Sequence, residues 1–352
     1  MQNKRVLITG GAGFLGLHLA KNLPQRGVSF LALNDIAPFM ENEYTDDMLL
    51  VKQDVRDPEG MYKLISENKI DIIIHCAAAL PLWKKEEIYS TNIQGVRNTL
   101  EQAQKANVER VIFISSTAVY GVPDKHPLVE EDPMVGVGAY GESKIAGEHV
   151  CQEFREKGMC IATIRPKTFI GTARLGVFQI LYDWVDCGKR IPIIGKGDNL
   201  YQLLEVSDLI EAITLAASCP AEIVNDTFNV GSQVFDKVKL DVGALCDYAG
   251  NGSKVMPTPA GLVKPALAFF ELIKVSPLYK WVYGTADKDS FVSTEKIEQK
   301  LGWKSKFSNQ DALITSHKWY LEHKEELKHR EAGVTHMVGW DQGILKFFKR
   351  FL

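Results

Sequence analysis

The amino-acid sequence predicts an α/β fold, a doubly wound parallel sheet with a smaller C-terminal lobe. Three observations support this fold class. In the first half of the chain, apolar runs rich in β-branched residues alternate with helical stretches, as in parallel sheets that helices cover on both faces. A glycine-rich turn follows the first apolar run directly, which is typical of the first strand of such a sheet. After Pro166 the alternation loosens, which indicates a second and less regular unit.

The predicted elements of the first half follow one another in order. Strands are expected in RVLITG, VSFLALND, MLLVKQD, IDIIIHCAA, ERVIFISS and MCIATIRP, and helices at about 14–26, 58–67, 86–106 and 141–157. A later run, DTFNVG at 226–231, predicts one more strand of the same sheet. The expected division is a sheet domain over 1–170 with 206–231 returning to it, a substrate lobe over 171–205 and 232–330, and an amphipathic tail over 331–352.

The bulk composition excludes several classes of protein. The 352 residues carry a net charge of −3, so the chain lacks the basic field of a nucleic-acid-binding protein. The sequence enters an apolar strand almost at once, which predicts no signal peptide, and no run of about 18 apolar residues predicts a membrane span. The six cysteines form no CxxC pair, which favours reduced thiols and a cytoplasmic protein.

The segment VLITGGAGFLG has the features of a dinucleotide-binding turn. Gly10, Gly13 and Gly16 follow a strand and open a helix, together with Phe14 and Leu15. Glycines in these places allow a tight turn and close approach of the backbone, so that a pyrophosphate binds at the helix N-terminus. The pattern therefore predicts a Rossmann domain with a bound dinucleotide.

Asp35 ends the second predicted strand, nineteen residues after Gly16. A carboxylate in this place hydrogen-bonds a ribose 2′-OH and repels a 2′-phosphate. The next three residues, IAP, offer no cation for such a phosphate. NAD is therefore the predicted cofactor, in preference to NADP.

Further cofactor contacts are predicted where the third and fourth strands end, because the carboxyl ends of parallel strands form the dinucleotide-binding edge. Asp54 and Val55 end the third strand, and Ala77, Ala78 and Ala79 end the fourth. For Asp54 a second interpretation, a simple turn residue, stays open.

Tyr140 and Lys144 stand four residues apart in GAYGESKIAGEHV, on one face of a predicted helix. Tyr320 and Lys324 repeat this spacing, so the spacing alone decides nothing. Tyr140 follows Ser116, which ends the fifth strand, whereas no strand precedes Tyr320. The first pair is therefore predicted to lie beside the dinucleotide, and the second to be structural on a charged surface helix.

These motifs together resemble those of the extended short-chain dehydrogenase/reductases, also called the NAD-dependent epimerase/dehydratase family. The resemblance covers about residues 4–231 and rests on TGGAGFLG, Asp35, DV at 54–55, HCAAA, Asn92, SSTAVYG, YGESK and RP at 165–166. It implies a cofactor contact at Asn92 and a homodimer.

The resemblance also implies the roles of the candidate catalytic residues. Tyr140 would be the acid/base, Lys144 its activator and a ribose ligand, and Ser116 the hydroxyl that holds the reacting oxygen. Ser115 and Thr117 remain alternatives to Ser116.

Elementary electrostatics supports these roles. A phenol with a pKa near 10 is a poor base at neutral pH. A cation about 4–6 Å away, together with oxidised nicotinamide, is expected to lower the pKa of Tyr140 by roughly 1–3 pH units. Tyr140 would then take a proton from an alcohol while hydride leaves for the nicotinamide, or reverse both steps. Ser116 would stabilise the developing oxyanion.

Two departures from the family pattern concern the substrate. Nucleotide-sugar enzymes of the family usually carry an asparagine three residues after the arginine of the RP motif, and an arginine before a later Y-V-x-D motif. This sequence has Thr168 at the first position and NLY, 199–201, at the second. Both departures favour a secondary alcohol or ketone on an apolar, sterol- or lipid-like substrate, as in the 3β-hydroxysteroid and sterol dehydrogenase branch. A UDP-sugar 4-epimerase with tightly bound NAD is the alternative, and a non-catalytic NAD-binding protein is a third interpretation.

Two stretches near the C-terminus favour the same substrate class. Residues 262–275 form an apolar helical stretch that Pro265 interrupts. In 344–352 the apolar side chains project to one side of a helix and the basic ones to the other, which is typical of a peripheral membrane contact. Docking on the chain's own body or on a dimer partner is the competing interpretation.

A histidine-based metal site is not predicted. His317, His323 and His329 recur every six residues, so on a helix they turn away from one another. The three are expected to lie on a solvated surface.

Overall fold

The computed structural model describes residues 1–81, 83–173, 175–273 and 280–329, and beyond them 332–333, 339–340, 343, 345 and 349. The predicted amphipathic helix at 344–352 therefore lies outside the described residues, except for Leu345 and Lys349. Up to Pro166, strands and helices alternate as the sequence predicts.

The strands fall into one large sheet and several short pairs. They are β1 Arg5–Thr9, β2 Phe30–Asp35, β3 Leu49–Lys52, β4 Ile72–His75, β5 Arg110–Ile114, β6 Ile161–Pro166, β7 Thr168–Ile170, β8 Arg190–Ile194, β9 Leu203–Glu205, β10 Thr227–Val230, β11 Lys254–Thr258, β12 Ala332–Gly333 and β13 Gly339–Trp340. The sheet is parallel throughout, in the order β10-β6-β5-β4-β1-β2-β3. β7 pairs with β9, β8 with β11, and β12 with β13.

The helices connect these strands and build the lobe. They are α1 Phe14–Asn22, α2 Pro58–Glu67, α3 Lys85–Tyr89, α4 Val96–Lys105, α5 Gly138–Glu156, α6 Phe178–Asp186, α7 Val206–Ser218, α8 Ala221–Val224, α9 Val238–Ala249, α10 Ala260–Leu272, α11 Lys280–Thr285, α12 Glu295–Leu301 and α13 Asn309–His329. A π-helical turn, Ser90–Gly95, joins α3 to α4. The helix predicted at 14–26 ends earlier, because Pro24 opens a separate 3₁₀ turn.

The central strands are apolar on both faces because helices cover both sides of the sheet. In β1, Leu7 packs toward α2 and α4, whereas Val6 and Ile8 pack toward α1 and α7. Side chains alternate in this way along every strand. All strands of the sheet run the same way, so their carboxyl ends meet at one edge.

Later parts of the chain return to this sheet. β10 forms its edge strand beside β6, with Phe228 opposite Ile164. The segment 295–303 also packs there, since Ile297, Leu301 and Trp303 belong to the core beneath the sheet. The predicted lobe of 232–330 includes this segment, and α12 contacts β10 through its apolar face.

The lobe has a core of its own, built from residues on both sides of the returning segment. α6, α9 and α13 pack around it. The stretch 232–258, which carries little readable pattern, forms α9 and β11. Tyr320 lies in this core, with only 5% of its surface exposed, and Lys324 pairs with Asp186 at 3.2 Å. His317 is also buried there, so its predicted surface position is wrong.

Helix α10 differs from the other lobe helices in its surface. Leu262, Phe269, Leu272 and Ile273 are all exposed, the first and third by 72% and 78%. Lys264, on the same helix, pairs with Asp287 at 2.5 Å. None of the helices in the described ranges is long and apolar enough to cross a membrane.

A buried ion pair fixes α5 against the sheet. Arg165 of β6 donates to both carboxylate oxygens of Glu148 of α5, at 2.6–3.1 Å. The exposed fractions of the two side chains are 5% and 6%. Arg165 also donates to the Tyr120 hydroxyl at 2.7 Å, and Ser115 donates to Glu148. The pair therefore sets where α5 lies on the strand ends.

We expect Glu148→Gln to lower the free energy of unfolding by about 3 kcal/mol, because the Arg165 guanidinium then stays buried without its carboxylate. Urea unfolding followed by circular dichroism measures this change. Glu153→Gln on the same helix is the matched control, since Glu153 and its partner Arg97 are partly exposed and such pairs contribute below about 1 kcal/mol. Equal losses in the two variants would contradict the assigned role of the buried pair.

Candidate active site

One large cavity opens at the edge where the carboxyl ends of the sheet strands meet. Its volume is about 810 Å³, within the range of ligand-binding clefts. The glycine-rich turn after β1, the ends of β2, β4 and β5, and the first turn of α5 all line it. Residues of the lobe, among them Tyr201 and Ser290, close its other side.

The turn between β1 and α1 has no room for side chains. Gly10 has φ +69°, and a Cβ there would lie 2.8 Å from the Ala77 nitrogen. A Cβ at Gly16 would lie 2.3 Å from the Gly10 carbonyl oxygen. Together with Gly13, these glycines bring the backbone at the N-terminus of α1 to the cavity wall, which fits a dinucleotide pyrophosphate.

Asp35, the last residue of β2, is held beside this turn. Its carboxylate accepts hydrogen bonds from the backbone N–H of Ala12 and of Ala37, both at 2.9 Å. The carboxylate lines the cavity with Ile36 and Pro38, and neither neighbour offers a positive charge. This placement fits a ribose with two hydroxyls and disfavours a 2′-phosphate.

Asp54 lines the cavity beyond Asp35, and Arg56 engages its carboxylate. Arg56 donates to it from the backbone at 2.8 Å and from the guanidinium at 2.6–3.0 Å. The hydrogen bond from the Arg56 side chain holds the pKa of Asp54 below its usual value. Val55 also lines the cavity, so this turn has both an apolar and a charged surface.

The end of β4 forms the floor of the cavity, with Ala77, Ala78 and Ala79 along it. Asn92 stands behind this floor. Its amide accepts from the Ala79 N–H at 2.7 Å, donates to the Ala79 carbonyl at 3.1 Å and donates to Ser143 at 3.0 Å. Asn92 therefore joins the floor to α5 and does not itself line the cavity, in contrast to the direct cofactor contact that the resemblance implies.

Ser116 lies directly after β5 and caps the 3₁₀ turn that follows. Its hydroxyl accepts from the Ala118 N–H at 3.1 Å, and it lies close enough to the Tyr140 phenol to lower the pKa of that phenol in part. Of the two alternatives, Ser115 donates to Glu148, and Thr117 donates to the Pro166 carbonyl at 3.3 Å. The geometry favours Ser116 as the partner of Tyr140.

Lys144 lies one turn after Tyr140 on α5 and is 3% exposed. Its ammonium donates to the Ile114 carbonyl at 2.9 Å. It lies 5.8 Å from the ring centroid of Tyr140 and 5.3 Å from that of Phe113. The cation therefore lies over the face of the Tyr140 ring.

Burial shifts the pKa values of both Tyr140 and Lys144. Burial raises it to about 12, and the hydrogen bond with Ser116 offsets this only in part. Burial also lowers the pKa of Lys144 to about 8. The lowering expected from the sequence concerns the enzyme with oxidised nicotinamide bound, and for that state it stays a prediction. In the protein's own groups, burial of the phenol is the larger effect on the pKa.

The lobe side of the cavity contains both positions at which the sequence departs from the nucleotide-sugar pattern. Thr168 of β7 and Tyr201 face each other, with their hydroxyl oxygens 3.1 Å apart. Both side chains are neutral. The surrounding wall is largely apolar and includes Leu80, Trp83, Val122, Val137, Phe169 and Val292.

The structure brings the other predicted residues together on this one cavity: Gly10, Gly13, Phe14, Leu15, Gly16, Asp35, Asp54, Val55, Ala77, Ala78, Ala79, Ser116, Tyr140 and Lys144. Sequence reasoning missed Arg56 and Ser290. Arg56 follows Asp54 by two residues, so the motif itself carried a signal. Ser290 has no local sequence signal, because it reaches the cavity by pairing with Tyr201, which is distant in the sequence.

Comparison with known proteins finds relatives over most of the chain. The UDP-glucose 4-epimerase of Lactobacillus helveticus is 25% identical over 352 residues, which cover 91% of this chain and 98% of the relative. The decarboxylating sterol-4-alpha-carboxylate 3-dehydrogenase of Saccharomyces cerevisiae is 28% identical over 225 residues, 60% of this chain and 64% of the relative. The solved UDP-glucose 4-epimerase of Thermotoga maritima has a TM-score of 0.76 at 23% identity, covering 91% of this chain and 99% of that one.

The sequence profile of the NAD dependent epimerase/dehydratase family matches residues 6–231, well over half of the chain. The match spans the glycine turn, Asp35, Ser116, Tyr140 and Lys144, and the glycine turn and Asp35 fit NAD. This chain therefore belongs to the NAD-dependent epimerase/dehydratase family, the extended short-chain dehydrogenase/reductases, and is an NAD-dependent enzyme.

Proposed function

We propose that this enzyme transfers hydride between NAD and a secondary alcohol or ketone of an apolar, sterol- or lipid-like substrate. The observation that carries the proposal is the placement of Tyr140, Ser116 and Lys144 on the same cavity as the glycine turn and Asp35. A proton-transfer group and a dinucleotide cradle then share one cleft.

The roles of the protein's own groups follow from their positions. Ser116 donates a hydrogen bond to the reacting oxygen, and Tyr140 takes the proton of the alcohol at its phenol oxygen. Lys144 holds a positive charge below the phenol, fixed by the Ile114 carbonyl. Bound NAD supplies the hydride acceptor and, in its oxidised form, a further positive charge, which favours the phenolate against the burial that disfavours it.

The wall of the cavity supports an apolar substrate. At the two positions where nucleotide-sugar enzymes of the family usually carry an asparagine and an arginine, this chain has Thr168 and the uncharged segment NLY, 199–201. The cavity wall as a whole is largely apolar, with Leu80, Trp83, Val122, Val137, Phe169 and Val292 among its residues. The exposed apolar side chains of α10 agree with a lipid-like substrate, because a patch of this kind marks an interaction site.

A UDP-sugar 4-epimerase is the second candidate, and the relatives favour it. The Lactobacillus helveticus enzyme, a UDP-glucose 4-epimerase, matches over almost its whole length. In this reaction Tyr140 would remove and return the hydroxyl proton, while the hydride of the same carbon would pass to bound NAD and back, with no net change of NAD. The yeast sterol dehydrogenase matches over a shorter part of the chain.

We expect Tyr140→Phe to reduce kcat by about 10²–10⁴-fold, because the phenol oxygen is the proton acceptor. NAD affinity should stay within a few-fold, whereas Lys144→Ala should reduce both turnover and NAD affinity. Steady-state kinetics and calorimetric titration with NAD measure the two effects. Tyr320→Phe is the matched control, since Tyr320 has the same spacing to a lysine but lies in the lobe core. Full turnover in Tyr140→Phe would refute the assignment.

We expect Asp35→Asn to weaken NAD binding by about tenfold, because a neutral amide replaces a charged acceptor of the ribose hydroxyls. NADP binding should improve, since the repulsion of a 2′-phosphate is removed. Titration of both dinucleotides measures the ratio of their affinities. Asp46→Asn, at an exposed position outside the cavity, should leave that ratio unchanged, and an unchanged ratio in Asp35→Asn would contradict the assigned role.

The two candidate reactions differ in the net change of NAD. A dehydrogenase should produce NADH in proportion to an oxidised sterol or lipid alcohol. An epimerase should purify with NAD and convert UDP-glucose without a net change in NADH absorbance. A screen of sterols, ceramide-like lipids and nucleotide sugars, read by NADH absorbance and by product analysis, decides between them.

A further inference from the structure

Lys167, the residue after β6, is a buried lysine that the catalytic scheme does not use. It is 4% exposed and lines the same cavity as Tyr140 and Ser116. Its ammonium donates to the Ser290 hydroxyl at 2.6 Å and lies 5.1 Å from the ring centroid of Tyr201. Both of these partners are neutral.

The charge of Lys167 has no counter-ion in the described part of the chain. Burial alone lowers its pKa to about 7. Besides Tyr201, the titratable residues His126 and Asp289 line the same cavity. Burial lowers the pKa of His126, and the Asp289 carboxylate accepts the Leu200 N–H at 2.8 Å. A buried ammonium without a counter-ion is unfavourable, and an ammonium has three donors, so donor capacity remains for a ligand.

The surrounding backbone holds this ammonium in place. The Lys167 N–H donates to the Val230 carbonyl at 2.8 Å. On the opposite side, Ser290 donates its N–H to the Leu200 carbonyl at 2.8 Å and accepts from the Gln202 N–H at 3.0 Å. The lysine and its hydroxyl partner therefore both project from backbone that is fixed by hydrogen bonds.

The position also lies close to the reacting centre. Thr117, the neighbour of Ser116, donates its hydroxyl to the carbonyl of Pro166, which directly precedes Lys167. Among the described residues of the cavity wall, the other cations are Arg56, paired with Asp54, and Lys144, beside Tyr140. Among those residues, Lys167 is therefore the cation on the side of the cleft where we propose that the substrate binds.

We propose that Lys167 binds an anionic group of the substrate, a carboxylate or a phosphate, near the alcohol that Tyr140 deprotonates. The inference rests on the proposed function for the location of the substrate. It also refines that function, since the substrate would combine an apolar body with one anionic group. The buried, pinned ammonium is a preformed site for that group.

The test compares wild-type enzyme, Lys167→Met and Lys167→Arg, each loaded with NAD. The probes are a 3β-hydroxysterol with and without a 4α-carboxylate, which isolate the carboxylate, and UDP-glucose, which supplies phosphates. Lys239→Met, at an exposed lysine outside the cavity, is the control. The measurements are kcat, KM and the shift in melting temperature that each probe causes.

We expect Lys167→Met to raise KM for the anionic probe that the enzyme uses by about 10–100-fold, because a charge-assisted hydrogen bond is lost. The value of kcat should change by less than about threefold, since proton transfer does not involve Lys167. The neutral sterol should bind both proteins equally, and Lys167→Arg should recover part of the loss. If KM rises for the sterol with the 4α-carboxylate, the group that Lys167 binds is a carboxylate. If KM rises for UDP-glucose, that group is a phosphate.

A purely structural role for Lys167 predicts that Lys167→Met lowers the melting temperature, whereas the proposed anion-binding role predicts the opposite. Without ligand, Lys167→Met should melt at or above the temperature of the wild type, because it removes a buried, unpaired charge. The gain should be largest below pH 7, where the lysine is charged in both the folded and the unfolded protein, and should shrink as the pH rises through its lowered pKa. A lower melting temperature at every pH would overturn the proposal.

Failure of this inference is distinguishable from failure of the proposed function. If no probe yields NADH or product, the proposed function fails, and the melting-temperature shifts still report whether Lys167 binds an anion. If turnover occurs but Lys167→Met has wild-type KM for every anionic probe, the function stands and the role of Lys167 is wrong. If Lys167→Met and the wild type do not differ in any of the measurements, the proposed role of Lys167 is also wrong.

Discussion

The burial of the Lys144 ammonium is the constraint on which the site depends. Burial opposes the charged form of a lysine and lowers the pKa of Lys144 to about 8, while the Ile114 carbonyl and the faces of two aromatic rings stabilise the ammonium in part. That carbonyl becomes available because β5 ends at Ile114. The ammonium reaches it only when α5 lies in one register against the strand end, and the buried contact between Arg165 and Glu148 sets that register. The position of Tyr140 follows from the same contact, since it lies one turn earlier on α5.

The two halves of the chain contribute different parts of the chemistry. The sheet edge supplies the cradle for NAD and the proton-transfer groups, and these follow from the geometry of parallel strands. The opposite wall of the cavity carries the hydroxyls of Thr168 and Tyr201 and the ammonium of Lys167, which we propose as the groups that meet the substrate. We therefore propose that the sheet edge determines the reaction type and that the opposite wall of the cavity contributes to substrate choice.

Most of the sheet half could be predicted from sequence because its signals are local. Helix α2 has the predicted bounds, with Pro58 at its first turn and the Asp57 side chain capping it. The lobe resisted prediction because its contacts are distant in sequence. Ser290 reaches the cavity by pairing with Tyr201, 89 residues earlier, and no local period marks such a pairing. His317 was misplaced because burial of a neutral imidazole leaves no trace in the spacing of histidines. The raised pKa of Tyr140 depends on desolvation, which only the packed structure determines.

The return of β10 and α12 to the sheet has a mechanical consequence. The chain leaves the sheet after β6, comes back through α7 and β10, departs again into α9, and comes back once more at α12. Each passage is a covalent tether between the two bodies. A wide clamshell motion would have to bend all of these tethers together, so they favour small sliding displacements of one body over the other. Exchange of coenzyme and product would then depend on local movements at the mouth of the cleft.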